Sequence, residues 1–138
     1  MDTQLEGLLN LLGDAERAGG RILHELTDQA RSLELREMLK KVGHDEGYYA
    51  GELAAQVRRL GGTPSNKTGD FVEKIRAIPG FKDKLALLNR SQRWVIRKIE
   101  EALPSLNDEP LRAFLRVMAD GHEMNIGALD KALAEGKL

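Results

Sequence analysis

Apolar residues recur along this chain at three- and four-residue steps, in four long runs. The first spans about Thr3 to about Asp28. Leu5, Leu9, Leu12, Glu16, Gly19, Leu23 and Leu26 share one helical face there. The second spans about Ser32 to Leu60, with Leu35, Leu39, Val42, Glu46, Tyr49, Leu53 and Leu60 inward and Gly61-Gly62 as its stop. The third spans about Lys82 to Leu103, with Leu85, Leu88, Gln92, Val95 and Ile99 on one face. The fourth spans about Asn107 to Ala134. Its stripe is Leu111, Leu115, Met118, His122, Asn125, Leu129 and Leu133, with Asn107 or Asp108 as a cap and Pro110 in the first turn.

Only a few residues separate the first run from the second, so these two helices are expected to be antiparallel neighbours. Between the second and third lies GGTPSNKTGDFVEKIRAIPGFKD, which opens with turn formers and then carries Phe71, Ile75 and Ile78 at helical spacing before Pro79-Gly80. At about 20 residues it exceeds a tight turn and suffices to cross the length of a bundle. The pattern thus predicts an all-α fold: an up-down four-helix bundle with one long crossover between helices 2 and 3. Residues 1–138 form a single domain, with a helix hairpin at 3–60, the crossover at 61–81 and a second hairpin at 82–134.

The two hairpins superpose at an offset of 76 residues. Leu9 then meets Leu85, Leu12 meets Leu88, Leu35 meets Leu111, Leu39 meets Leu115 and Leu53 meets Leu129. The polar interruptions coincide too: Glu16 with Gln92, Glu46 with His122, and Tyr49 with Asn125. One offset aligns both helices of each pair, which a weak two-fold repeat explains most simply.

Those six polar residues occupy positions that the stripes assign to the core. An unpaired charge in a core costs several kcal/mol, so each needs a partner. All six lie near the middle of their helices, and Glu16–Glu46 and Gln92–His122 are each 30 residues apart. In antiparallel hairpins with similar loops that spacing brings each pair to one level. A single central polar layer is the expectation.

Here the chain resembles the ferritin-like superfamily, especially the small rubrerythrin-like bundles, from about Leu5 to Leu133. The stretches LLNLLGDAERAGGRIL, DEGYYAGELAAQVRRLGGTPS and MADGHEMNIGAL are also similar to a ferritin-like family with no assigned function. In the superfamily each of two helices gives one Glu and each of the other two gives Glu-x-x-His, all turned inward onto two iron ions. The resemblance puts Glu16 at the helix-1 Glu and Glu46 at the helix-2 Glu. Tyr49 stands at the first His, Gln92 at the helix-3 Glu, and His122 and Asn125 at the Glu and His of helix 4. Two carboxylates of four remain, too few to offset two iron ions. The resemblance therefore implies the fold with a degenerate di-iron site. A shifted register would use Asp120-x-x-Glu123 instead, one or two positions off the stripe.

Two readings of the layer follow. In the first, no metal is bound: Tyr49, Gln92, Asn125 and a protonated His122 supply the donors that two carboxylates need. The protein is then a non-catalytic structural or interaction module with no cofactor. In the alternative, Glu16, Glu46 and His122 hold one Fe, Mn or Zn ion, in a metal-binding protein or metalloenzyme.

Composition agrees with the helical reading: 22 Leu and 14 Ala stand against 15 Val, Ile and Thr together. The chain has no Cys, which excludes disulfides, thiol catalysis and Cys-based zinc sites. No apolar run approaches the ~20 residues of a membrane span. The acidic N-terminal stretch is unlike a signal peptide, so a cytoplasmic location is expected. Net charge is −1, but residues 58–98 carry eleven Lys/Arg against three Asp/Glu. With few interleaved aromatics, that strip reads as the complement of acidic faces on the other helices rather than a nucleic-acid surface. Leu8, Leu11, Ala15, Ala18 and Ile22 add a second stripe to helix 1, and Leu87, Trp94 and Ile96 widen helix 3. This excess is expected to lie beneath the crossover or to form a homodimer face. No HExxH motif, Gly-rich phosphate loop or hydrolytic triad is readable.

Overall fold

Each long apolar run becomes a helix with an identifiable start and stop. The computed structural model describes residues 1–138 and is all-helical. Helix α1 (Thr3–Gln29) begins where the Asp2 side chain accepts from the Gln4 N–H. Helix α2 (Leu33–Arg59) is capped by Ser32, whose hydroxyl accepts from the Leu35 N–H at 3.0 Å. It ends at Gly61, which takes a left-handed conformation (φ 88°) that side chains rarely adopt. A short α3 (Phe71–Arg76) lies between α2 and the next long helix. Helix α4 (Phe81–Ala102) runs into a 3₁₀ turn (Leu103–Ser105). The third periodic run therefore ends a residue early, because Pro104 has no N–H to continue the α-helical ladder. Helix α5 (Glu109–Glu135) starts two residues later than the periodicity suggested, with Asp108 as the cap, accepting from the Leu111 N–H at 3.0 Å.

Two apolar clusters fill the interior. One contains Ala18, Ile22, Leu23 and Leu26 from the second half of α1, and Leu35, Leu39 and Val42 from the first half of α2. It is completed by Val72 and Ile75 of α3, Leu85 and Leu88 from the first half of α4, and Leu129 and Ala132 from the end of α5. The other contains Leu9 and Leu12 of α1, Tyr49, Leu53 and Val57 of α2, Val95 and Ile99 of α4, and Leu111, Leu115 and Met118 of α5. Each fully buried Leu or Ile among them is worth about 1.5–3 kcal/mol relative to exposure. The polar residues at issue lie between the clusters.

The segment between α2 and α4 is strapped to α1. Asn10 donates to the Thr63 carbonyl at 3.0 Å and accepts from the Ser65 N–H at 2.8 Å. The Ser65 hydroxyl reaches Asp14, and Arg17 donates to the Lys67 carbonyl. Ala18 and Ile22 of the second stripe share a cluster with Val72 and Ile75 of α3. Leu11, at 46% exposure, stays uncovered. It borders a groove of about 450 Å³ with Ala15, Phe71, Leu87 and Trp94. Three of the eleven basic residues of the strip are met by acids outside it: Arg59 pairs with Asp108, Arg76 with Glu25 and Arg93 with Asp130. No helix is long and apolar enough to cross a membrane.

Candidate functional site

Glu16, Glu46 and His122 are each the fourteenth residue of a 27-residue helix. That equal placement brings them to one level, between the two apolar clusters. They are 1%, 3% and 0% exposed, and one ligating atom from each lies within 4.8 Å of the others. His122 Nε2 is hydrogen-bonded to Glu16 Oε1, and the Glu46 carboxyl lies beside them. Glu46 Oε2 is buried without a hydrogen-bond partner.

Room for the cluster is made by glycine. A Cβ at Gly19, one turn beyond Glu16, would lie 2.7 Å from Glu46 Cδ and closer still to a carboxylate oxygen. Gly121, adjacent to His122, admits the Tyr49 ring in the same way, since a Cβ there would collide with the Tyr49 hydroxyl. Tyr49 packs its ring on the imidazole, with centroids 5.4 Å apart and planes tilted by 50°.

The electrostatics follow from burial. Loss of water pushes the Glu16 carboxyl well above the usual carboxylate range, against a lowering hydrogen bond from Glu46. Glu46 is raised well above that range too, by burial first and the charge of Glu16 second. Burial lowers His122, with Glu46 and Asp45 opposing the shift, and pushes the Tyr49 hydroxyl up to about 12. Without a cation the cluster therefore favours protonated acids beside a neutral imidazole.

The six expected core residues are all buried, but they do not form one ring of donors around the carboxylates. Gln92 reaches the cluster through His122, whose Nδ1 lies 2.9 Å from Gln92 Oε1. The Gln92 amide nitrogen turns away, donating to Asn89 at 2.9 Å. Asn125 turns to the rim between α5 and α2, donating to Asp45 at 3.0 Å and accepting from Lys41 at 3.1 Å. Tyr49 contributes its ring, not a hydrogen bond, to the site. The expectation that Tyr49, Gln92 and Asn125 hold Glu16 and Glu46 is thus corrected. The Gln92 amide meets Asn89 on its own helix and Asn125 meets Asp45 and Lys41 on α2, and of the expected donors only His122 reaches Glu16. Asp120 and Glu123 are exposed, so the shifted register of α5 is not used.

Asn89 and Gly121 escaped the sequence reading, and Gly19 was placed on the inward face of α1 without a role at the site. Asn89 completes an i, i+3, i+4, i+7 set with Leu85, Leu88 and Gln92, and that spacing was the available signal. Gly19 and Gly121 each cost their helix about 1 kcal/mol relative to Ala, and a mid-helix glycine beside a buried polar residue signals close packing.

The fold and site define an all-helical protein with a carboxylate–carboxylate–imidazole cluster sealed at mid-core. The chain belongs to the family described as Domain of unknown function (DUF6306), which it matches over residues 3–131. No curated protein and no solved structure matches it significantly.

Proposed function

We propose that this chain is a ferritin-like four-helix bundle in which Glu16, Glu46 and His122 hold a single divalent ion, Fe, Mn or Zn. The two apolar clusters support the architecture. The start of α1, the end of α2, the end of α4 and the start of α5 share one cluster, and the opposite halves share the other. α2 and α4 then run in the same direction, as a crossover requires.

One observation carries the metal reading. Two buried carboxyls face one imidazole nitrogen, and Glu46 Oε2 is left with no partner in a space kept open by Gly19. Two carboxylate oxygens and one imidazole suit these ions. A bound ion would neutralise the pair of acids and cross-link α1, α2 and α5. The side chains are sealed, which favours holding the helices together over turning over a substrate.

The test is melting of metal-free protein with and without Zn(II), Mn(II) or Fe(II). An ion present at 100 times its Kd adds about 2.7 kcal/mol, or roughly 8 °C for a domain of this size. The rise is expected in the wild type and absent in His122→Gln and Glu46→Gln. No rise with any of the three ions overturns the reading.

The second reading is the metal-free module. It is favoured by the hydrogen bond that Glu16 already makes to His122 and by the nearby Glu46 carboxyl, which a shared proton would bridge to Glu16. Under either reading we propose a homodimer formed through Leu8, Leu11, Ala15 and Trp94, supported by the uncovered Leu11 and the apolar groove beside it.

A further inference from the structure

The buried polar chain continues past the Glu–Glu–His cluster and reaches the surface. His122 Nδ1 lies 2.9 Å from Gln92 Oε1, and Gln92 Nε2 donates to Asn89 Oδ1 at 2.9 Å. Asn89 Nδ2 donates to the Ile126 carbonyl at 3.2 Å and to Asp130 Oδ1 at 2.8 Å. The other Asp130 oxygen accepts from Arg93 at 2.6 Å, at the protein surface. Asn89, Gln92 and His122 are each at most 1% exposed, so no water competes for these bonds.

The direction of every bond in this chain is fixed from its outer end. A carboxylate and a backbone carbonyl only accept, so the nitrogen of Asn89 must face Asp130 and Ile126. The oxygen of Asn89 must then face Gln92. That oxygen accepts, so Gln92 must present its nitrogen to Asn89 and its own oxygen to His122. Nδ1 is left with one role, which is to donate.

We propose that Asn89, anchored by Asp130 and Ile126, is a positioning residue that acts through Gln92 to hold His122 as the Nδ1–H tautomer. Nε2 is thereby the free nitrogen, aimed at Glu16 and Glu46. Its use rests on the metal reading, because a neutral imidazole with its outer nitrogen fixed is the form that ligates a cation. The tautomer itself is a property of the chain and does not depend on any ion.

The test is ¹⁵N NMR of the imidazole nitrogens in metal-free, uniformly labelled protein at neutral to mildly alkaline pH. Only three histidines are present, and His122→Gln assigns the signal. The wild type is expected to show a protonated Nδ1 and a pyridine-type Nε2. Two variants separate positioning from packing. Asn89→Leu frees the Gln92 amide to turn over, and the tautomer becomes mixed or reverses. Asn89→Asp still accepts from Gln92 and keeps the Nδ1–H form, although both variants lose stability. A wild type protonated on Nε2 overturns the proposal, as does an Asn89→Leu variant that keeps the wild-type tautomer.

A zinc titration provides the second arm, with Asn89→Leu expected to bind about 10–100-fold more weakly than wild type. Wild type that binds no zinc while Asn89→Leu loses the tautomer defeats the metal reading and supports the positioning role. Wild type and Asn89→Leu binding zinc equally would overturn the link between that role and the site.

Discussion

At the scale of single residues, the same substitution should have opposite signs at two glycines. Gly51 has open space where a Cβ would go, whereas Gly19 faces the Glu46 carboxyl. Gly51→Ala is expected to stabilise α2 by about 0.5–1 kcal/mol, and Gly19→Ala to destabilise by about 1–3 kcal/mol, as read by urea unfolding. Two effects of similar sign would show that Glu46 is free to move aside. The acids also set a pH dependence. Glu16 and Glu46 titrate higher folded than unfolded, so the stability they supply is full below the ordinary carboxylate range. It is lost as pH rises towards their raised folded values. His122 titrates lower folded than unfolded, so its contribution is full above its ordinary value near 6.5 and is lost as pH falls through the depressed one. The melting temperature of metal-free protein is therefore expected to fall as pH rises above about 6.5, where His122 no longer opposes the acids, and Glu46→Gln should flatten much of that slope. A wild-type curve rising through this range would contradict the protonated cluster. Glu16, Glu46 and His122 were legible in the sequence because a polar residue inside a leucine stripe stands out. The partners of Tyr49 and Asn125 were not, because a stripe fixes a face but not which neighbour a side chain meets there.

At the scale of elements, periodicity located the four long helices to within about two residues, since each buries one continuous face. Their caps were partly readable, Asp108 and Gly61 among them. The binding of the crossover to α1 was not. Asn10 meets Thr63 and Ser65 across more than fifty residues, and no local pattern encodes such a pairing. Asn10→Ala should release residues 63–67 without melting the helices. Amide exchange there is expected to quicken at least tenfold, with a global loss of about 1 kcal/mol. Unchanged exchange in that segment would mean that Asp14 and Arg17 hold it alone. The second stripe of α1 was legible as excess width. Ala18 and Ile22 go to the crossover side, while Leu11 stays uncovered.

At the scale of the whole molecule, the uncovered part of that stripe bears on association. Wild type is expected to sediment as a dimer at micromolar concentration, and Trp94→Ala, if still folded, to shift it towards monomer by tenfold or more in Kd. A monomer at high micromolar concentration would remove the proposed face. The 76-residue repeat, read from polar and apolar positions together, anticipated that both hairpins send a pair of polar residues into one layer. The same alignment shows the layer to be asymmetric, with two acids from the first hairpin and a His–Gln pair from the second. The equal placement of Glu16, Glu46 and His122 along their helices constrains how such a chain can vary in length. One residue inserted within α1 between Leu12 and Glu16 would turn everything on one side of it by about 100° relative to the other. The cluster and one apolar end would then no longer face inward together. Insertions and deletions should accordingly be tolerated in the segments between helices and rejected within them. The number of residues on either side of the layer is thus set by geometry, whatever their identities.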